Sequence, residues 1–284
     1  MGGWVERKFG GSGRGGLGSP KSTKGKGRGG GSSNKGGGGR RGRGPGGGGG
    51  SGAAADPYFS SVVLLINFDD IANVGQKVAV DESNSAHTVN WTGTVDALTA
   101  SNAPAWAETT LVSSSGCKIH IPDHNDFNFA AGDFTMELYA YHTSFISDTL
   151  ISRWGASPTL QFLWGHDGSP NTSNFNYSIN GTGHATGSPA TATSTMPLST
   201  WTHMAISRVG NTLYHCEGGT IRKVTTGFTY SLYDPALQFT IASNNGANSF
   251  WKGQLANVRI TKGVGRYAGA LTDPYTIQAL GPTA

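Results

Sequence analysis

From Asp56 onward, apolar residues come in short bursts separated by clusters of Gly, Asn, Ser and Pro, the rhythm of an antiparallel β-sandwich. Val62 to Ile66 is an unbroken apolar run, as expected of a strand buried on both faces. Phe134, Met136, Leu138 and Ala140 alternate with Thr135, Glu137, Tyr139 and Tyr141, a period of two that predicts a strand with two different faces. Leu160 to Trp164 and Phe175 to Ile179 are further expected strands, split by Gly168-Ser-Pro-Asn171. His203 to Val209, Leu213 to Cys216 and Ile221 to Thr225 predict a meander with turns at Gly210-Asn211 and Gly218-Gly219. Leu237 to Ala242 and Gln254 to Thr261 close the set. No long helix is expected, since Ala97 to Ala107 is interrupted by Asn102 and Pro104.

Upstream of Asp56 this pattern vanishes. Residues 1–55 hold 25 of the 45 glycines and 11 Lys or Arg against the single acid Glu6, a net charge of about +10. Residues 56–284 carry 10 Lys or Arg against 16 Asp or Glu, about −6. The overall +4 therefore conceals two parts of opposite sign. Glycine loses the most backbone freedom on ordering, and little apolar surface in the first part offsets it, so residues 1–55 read as a Gly/Arg-rich extended arm. Its apolar residues Trp4, Val5 and Phe9 sit at the far end. They read either as an anchor peptide over residues 1–9 on a long tether or as random scatter. Residues 56–284 suit one large all-β domain or two small ones.

No apolar run reaches the roughly 18 residues a membrane helix needs, so no membrane insertion is expected. The opening Met1-Gly2-Gly3-Trp4-Val5-Glu6 lacks an export signal's apolar core, which leads us to expect synthesis in a cytoplasm. Cys117 and Cys216 lie in strand-like stretches where a free thiol behaves as a small apolar residue; a disulfide between them is the alternative.

Four segments carry a resemblance. They are Asp56-Pro-Tyr-Phe-Ser-Ser-Val-Val-Leu-Leu-Ile-Asn-Phe-Asp69, Ile119-His-Ile-Pro-Asp-His-Asn-Asp-Phe-Asn-Phe with Gly132-Asp-Phe-Thr-Met-Glu, Trp201-Thr-His-Met-Ala-Ile-Ser-Arg-Val-Gly-Asn-Thr-Leu, and Gly253-Gln-Leu-Ala-Asn-Val-Arg-Ile-Thr-Lys-Gly-Val-Gly-Arg-Tyr267. In this order they resemble laminin-G-like, concanavalin A-like jelly-roll domains. The Asp-Pro-Tyr opening and Thr-Lys-Gly-Val-x-Arg-Tyr close are similar to those of domains in bacteriophage virion proteins. The resemblance implies an all-β, antiparallel two-sheet jelly-roll sandwich, a lectin-like fold, and a place on a virion as tail fibre or capsid decoration.

Folds of this kind include glucanases, and retaining glycosidases need two carboxylates about 5 Å apart. Residues 56–284 contain four Glu, at 82, 108, 137 and 217. Only Glu137 lies mid-strand, and its same-face neighbours Thr135 and Tyr139 are not acids. No catalytic residue is therefore assigned. His120 and His124 are separated by Pro122, which forbids the helix that would align them on a metal. Calcium is the one cofactor the resemblance raises, with Asp81, Asp69 and Asp70 as candidate ligands. The late segment reads Leu255-Ala256-Asn257-Val258-Arg259 where relatives often carry two acids, which weakens that transfer. Gly11-x-Gly13-x-x-Gly16 matches a dinucleotide fingerprint only in form, with no strand before it and no helix after.

Aromatic contact with a sugar remains. Trp154 and Trp164 flank Gly155-Ala-Ser-Pro-Thr, His166-Asp-Gly-Ser-Pro-Asn171 follows, and Trp91 and Trp106 lie in irregular stretches. These four Trp are the candidate ligand contacts, with core packing as the alternative, and Trp201 is assigned to the core. We expect a non-enzymatic, multi-copy virion structural protein. Its arm would dock on capsid, neck or tail proteins through Trp4, Val5 and Phe9 with Arg40, Arg41 and Arg43, and its jelly roll would bind a host-surface polysaccharide or pack against other proteins. The alternative is a nucleic-acid tether, because Arg40-Arg-Gly-Arg43 resembles RGG-type segments, but the arm has no aromatic among its arginines to stack on bases.

Overall fold

A computed structural model describes residues 56–68, 79–92, 111–113, 117–144, 146–168, 171–245 and 249–270. The chain divides at Gly50/Ser51, and all described residues belong to the second unit. They form fourteen strands and no α-helix: β1 (Val62–Ile66), β2 (Asn90–Thr92), β3 (Leu111–Ser113), β4 (Lys118–Ile121), β5 (Phe134–His142), β6 (Asp148–Trp154), β7 (Leu160–Gly168), β8 (Asn171–Tyr177), β9 (Ala190–Thr193), β10 (Trp201–Val209), β11 (Thr212–Glu217), β12 (Thr220–Thr226), β13 (Phe239–Ile241) and β14 (Gly253–Lys262). The first sheet runs β1-β14-β5-β10-β11-β12, with β3 also on β14; the second runs β2-β4-β13-β6-β7-β8-β9. Every ladder is antiparallel. The expected two-sheet sandwich is the structure found, as one domain around one main core.

Alternation decides which residues fill that core. Phe134, Met136, Leu138 and Ala140 of β5 point inward with Met204 and Ile206 of β10 and Leu255, Val258 and Ile260 of β14. Across the gap they meet Phe162, Trp164, Phe175, Phe239 and Ile241 of the second sheet. The rings interlock, with Phe127 stacked on Phe239 at 4.5 Å and Phe129 on Phe134 at 4.7 Å. Cys117 and Cys216 are buried free thiols.

The period-two pattern failed where strands carry polar residues inward. β6, Asp-Thr-Leu-Ile-Ser-Arg-Trp, was not anticipated because its ends are charged, yet Asp148 and Arg153 are both buried. β8 begins four residues before the expected Phe175 because its polar start pairs with β7 through Gly168↔Asn171. β9 uses small residues only, Ala190 and Ala192 inward and Thr191 and Thr193 outward.

The outer face of the first sheet is also buried. Glu137 lies there in register with Ala205 of β10 and Arg259 of β14. Its Oε1 accepts from Arg259 Nε at 2.7 Å, and its Oε2 accepts from Tyr267 OH at 2.5 Å and lies 3.0 Å from His203 Nε2. Arg259 and Arg266 both reach the Asp56 carboxylate, Arg266 in a bidentate pair at 2.9 and 2.8 Å. The exit segment is held by Thr135 and Ser207, whose hydroxyls accept from Arg266 N and Tyr267 N. Gly265 sits so close to the backbone of β10 that a Cβ there would lie 2.2 Å from the Arg208 carbonyl oxygen. The Asp-Pro-Tyr opening and the Gly-Val-Gly-Arg-Tyr close are thus two halves of one clasp.

Burial alone would raise the Glu137 carboxyl, but the His203 hydrogen bond and the Arg259 charge outweigh it and hold the pKa down at about 2. A depressed carboxyl contributes stability that is complete above its unfolded value near 4.5 and is lost as pH falls towards 2. Glu137→Gln leaves Arg259 short of a charge partner and should cost about 3–5 kcal/mol at pH 7 by urea unfolding. The gap between wild type and variant should narrow as pH drops below about 4.5. A gap independent of pH would contradict this role.

Candidate functional site

The structure scatters the sequence-nominated aromatics. Trp164 is corrected to a core residue: it is wholly buried, and its Nε1 donates to Ser173 Oγ at 3.1 Å, so its ring reaches no ligand. Trp91 is half-buried and packs on the core edge-on to Phe68 at 6.4 Å. Trp154, at the end of β6, is half-buried with the exposed His184 ring 4.9 Å away, so it keeps an accessible edge. Trp201 is corrected in the opposite sense. It lies half-buried on the outer face of the first sheet against Tyr141, while Trp251 joins Trp164 as an indole buried in the core. Trp106, Asp69, Asp70, Trp4, Val5, Phe9, Arg40, Arg41 and Arg43 lie outside the described residues.

Asp81, one of the three candidate calcium ligands, organises its own loop. Its Oδ1 accepts from the amides of Leu65 and Ser83, both at 2.9 Å, and its Oδ2 from that of His87 at 2.8 Å. Three backbone donors occupy most of a carboxylate's roughly four acceptor positions. His124 caps the short 3₁₀ turn Asn125–Phe127, its Nδ1 accepting from Asp126 N at 3.2 Å, and His120 sits in β4 opposite Thr240.

A polar cleft lies at the opposite end of β6 from Trp154, where β6 starts, β7 ends and β8 begins. A cavity of about 100 Å³ is lined there by Ser147, Asp148, Gly165, His166, Asp167 and Asn174, among others. Its floor depends on Gly165, because β6 and β7 approach so closely that a Cβ there would lie 2.2 Å from the Asp148 carbonyl oxygen. Asp167 is held by two donors, Ser147 Oγ at 2.6 Å and Asn174 Nδ2 at 2.8 Å. Around this pair, Asp148 Oδ1, Thr149 Oγ1 and Asn174 Oδ1 are buried without a hydrogen-bond partner among the described residues. Three unmatched polar atoms in one small cavity are costly unless something else meets them. Burial, then the neighbouring His142, lowers the His166 imidazole to about 4, and burial raises the Asp148 carboxyl.

The segment His166-Asp-Gly-Ser-Pro-Asn171 stands out along the chain only as following the Trp-flanked loop, and Ser147, Asp148 and Asn174 are not singled out at all. They lie on two other strands, and no local spacing connects them. The cleft is suited to polar recognition by fixed acceptors. Two carboxylates, Asp148 and Asp167, line it, whereas Glu137 is sealed in the clasp on the other sheet.

Sandwich and cleft together define a lectin-like β-sandwich. The chain belongs to the Laminin_G_3 family, described as the concanavalin A-like lectin/glucanases superfamily, and the match spans residues 113–264, more than half of the chain. No curated protein sequence matches it. Among solved structures it is similar to domain 4 of AbnA, a GH43 extracellular arabinanase from Geobacillus stearothermophilus, in complex with arabinotriose. That match is 14% identical, covers 72% of this chain and 93% of the other, and has a TM-score of 0.51. It is also similar to the binding domain of Paraclostridial Mosquitocidal Protein 1, at 8% identity, 73% and 50% coverage and a TM-score of 0.53. The binding domain of botulinum neurotoxin DC in complex with SialylT gives 12% identity, 73% and 49% coverage and a TM-score of 0.53. The chain spans about half the length of these two toxin domains. At such identities the likeness shows the fold.

The two tryptophans that flank one loop should respond differently to truncation. Trp164→Ala should cost about 3–5 kcal/mol in urea unfolding, whereas Trp154→Ala should cost under about 1.5 kcal/mol. Equal losses would contradict the burial difference.

Proposed function

We propose that this protein is a non-enzymatic carbohydrate-binding module that reads an oligosaccharide through the cleft around Asp167. The observation that carries this reading is the pair of unmatched polar atoms Thr149 Oγ1 and Asn174 Oδ1 beside a carboxylate, Asp167, already oriented by Ser147 and Asn174. Sugar hydroxyls are donors at close spacing, and fixed carboxylate and amide acceptors are what they require. Relatives of the fold described with arabinotriose and with SialylT support the same ligand class. The burial of Glu137 among Arg259, His203 and Tyr267 supports a binding rather than a hydrolytic role.

The setting that best fits the chain is a bacteriophage particle. The opening and closing segments resemble those of phage virion domains, and the basic arm suits docking on acidic virion proteins through Trp4, Val5, Phe9, Arg40, Arg41 and Arg43. Many copies on one particle turn weak single-site binding into strong adhesion through effective concentration.

The test is a glycan array with the full chain, followed by titration of the best ligand. Asp167→Ala should weaken that ligand about 10- to 100-fold, the loss of a hydrogen bond to a charged group, while the melting temperature stays close to wild type. Absence of binding to any glycan overturns the carbohydrate reading. Binding unchanged in Asp167→Ala but lost in Trp154→Ala moves the site to the other end of β6.

A further inference from the structure

Beneath the cleft, the end of β5, the start of β6 and the end of β7 bring together His142, Asp148 and His166. All three are buried, at 0%, 4% and 3% exposure. His142 Nε2 lies 2.8 Å from Asp148 Oδ2, the two imidazole rings meet edge to face at 5.0 Å, and one candidate ligand atom from each residue lies within 4.8 Å of the others. We propose that these three side chains form a binding site for a divalent transition metal of the zinc class.

Three observations lead there. The first is the donor set: two imidazole nitrogens and one carboxylate oxygen suit Zn²⁺, whereas Ca²⁺ and Mg²⁺ prefer oxygen alone. The second is the unmatched Asp148 Oδ1, a buried carboxylate oxygen with no hydrogen bond among the described residues. A buried carboxylate with one oxygen unmet is strongly unfavourable, and a dication bound by that group relieves it. The third is the outer support. Trp251 stacks on the His142 ring at 4.4 Å and 18°, and Lys252 N donates to Asp148 Oδ2 at 3.3 Å. Groups around a metal orient its ligands in this way.

Tetrahedral zinc with bonds of about 2.0–2.1 Å needs ligand atoms about 3.3 Å apart. The His142–Asp148 pair, at 2.8 Å, would separate slightly to admit the ion, and the His166 nitrogen, within 4.8 Å of both, would have to move in. Asp148 and His166 line the cavity, so the fourth position opens into it. His142 belongs to the first sheet and the other two residues to the second, so the ion would tie the two layers together at the cleft end.

A second cluster, His87, His124 and Asp126, is the internal control. There both imidazoles and the Ser85 hydroxyl converge on one oxygen, Asp126 Oδ2, at 3.1, 3.3 and 2.7 Å. That carboxylate oxygen is already matched, and His124 is half exposed.

The experiment is calorimetric titration of chelator-stripped full chain with ZnCl₂. One equivalent should bind to wild type and to the His87→Ala/His124→Ala double variant. Affinity should fall at least 100-fold in His166→Ala, whose fold is checked by circular dichroism. Should that variant not fold, Co²⁺ is added to wild type instead. The strong visible bands of a low-symmetry nitrogen–oxygen site are expected, and the weak spectrum of an octahedral aquo ion overturns the proposal. No stoichiometric zinc uptake by wild type, or uptake lost in His87→Ala/His124→Ala and kept in His166→Ala, also overturns it.

Discussion

One carboxylate, that of Glu137, sets the terms for half of this molecule. Placed mid-strand in β5 and removed from water, it needs compensating charge and hydrogen bonds on the outer side of a sheet whose inner side is already the core. Arg259 comes from β14, His203 from β10 and Tyr267 from beyond the last strand. Arg259 brings in Asp56, and Asp56 brings in Arg266. The first and last segments of the folded region must therefore lie over the first sheet for Glu137 to be tolerated. The small cluster of Ala205, Cys216, Ile221 and Tyr267 is what that cover buries in return.

The two sheets treat buried polarity in opposite ways. On the first, the carboxylates of Glu137 and Asp56 are met from several sides, and the result is rigid and closed. At the end of the second, polar atoms are gathered and left short of partners. Unmatched buried acceptors have a standing cost, so their concentration at one place points to an occupant supplied from outside. Arg153 shows that the second sheet can satisfy a buried charge when binding is not at stake. Its guanidinium is sealed by the carbonyls of Phe127, Pro235 and Leu237 and by Gln161, Asp123 and Asp234.

Most of the architecture was legible because most strands obey a simple alternation. β1, β5 and the β10–β11–β12 meander follow from apolar spacing and turn residues. β6 and the start of β8 do not, because tertiary pairing rather than their own pattern makes them strands. The aromatic search for a site had the same weakness. Trp154 and Trp164 look equivalent along the chain, yet Trp164 points into the core and Trp154 ends its strand at the surface. The sequence marks a large ring but not the side of the sheet it falls on once bulges intervene, and β6 and β7 are out of simple register at both ends. The His142–Asp148–His166 group was invisible for a related reason, since only topology joins β5, β6 and β7.

The Asp56 clasp also has a mechanical meaning. Tension applied through the chain ahead of Asp56 would, without it, peel β1 from β14 one hydrogen bond at a time. The paired contacts from Arg266 and Arg259 instead pass such a pull directly into β14, the strand that runs beside β1 and β5. The cleft lies on the other sheet, away from the clasp.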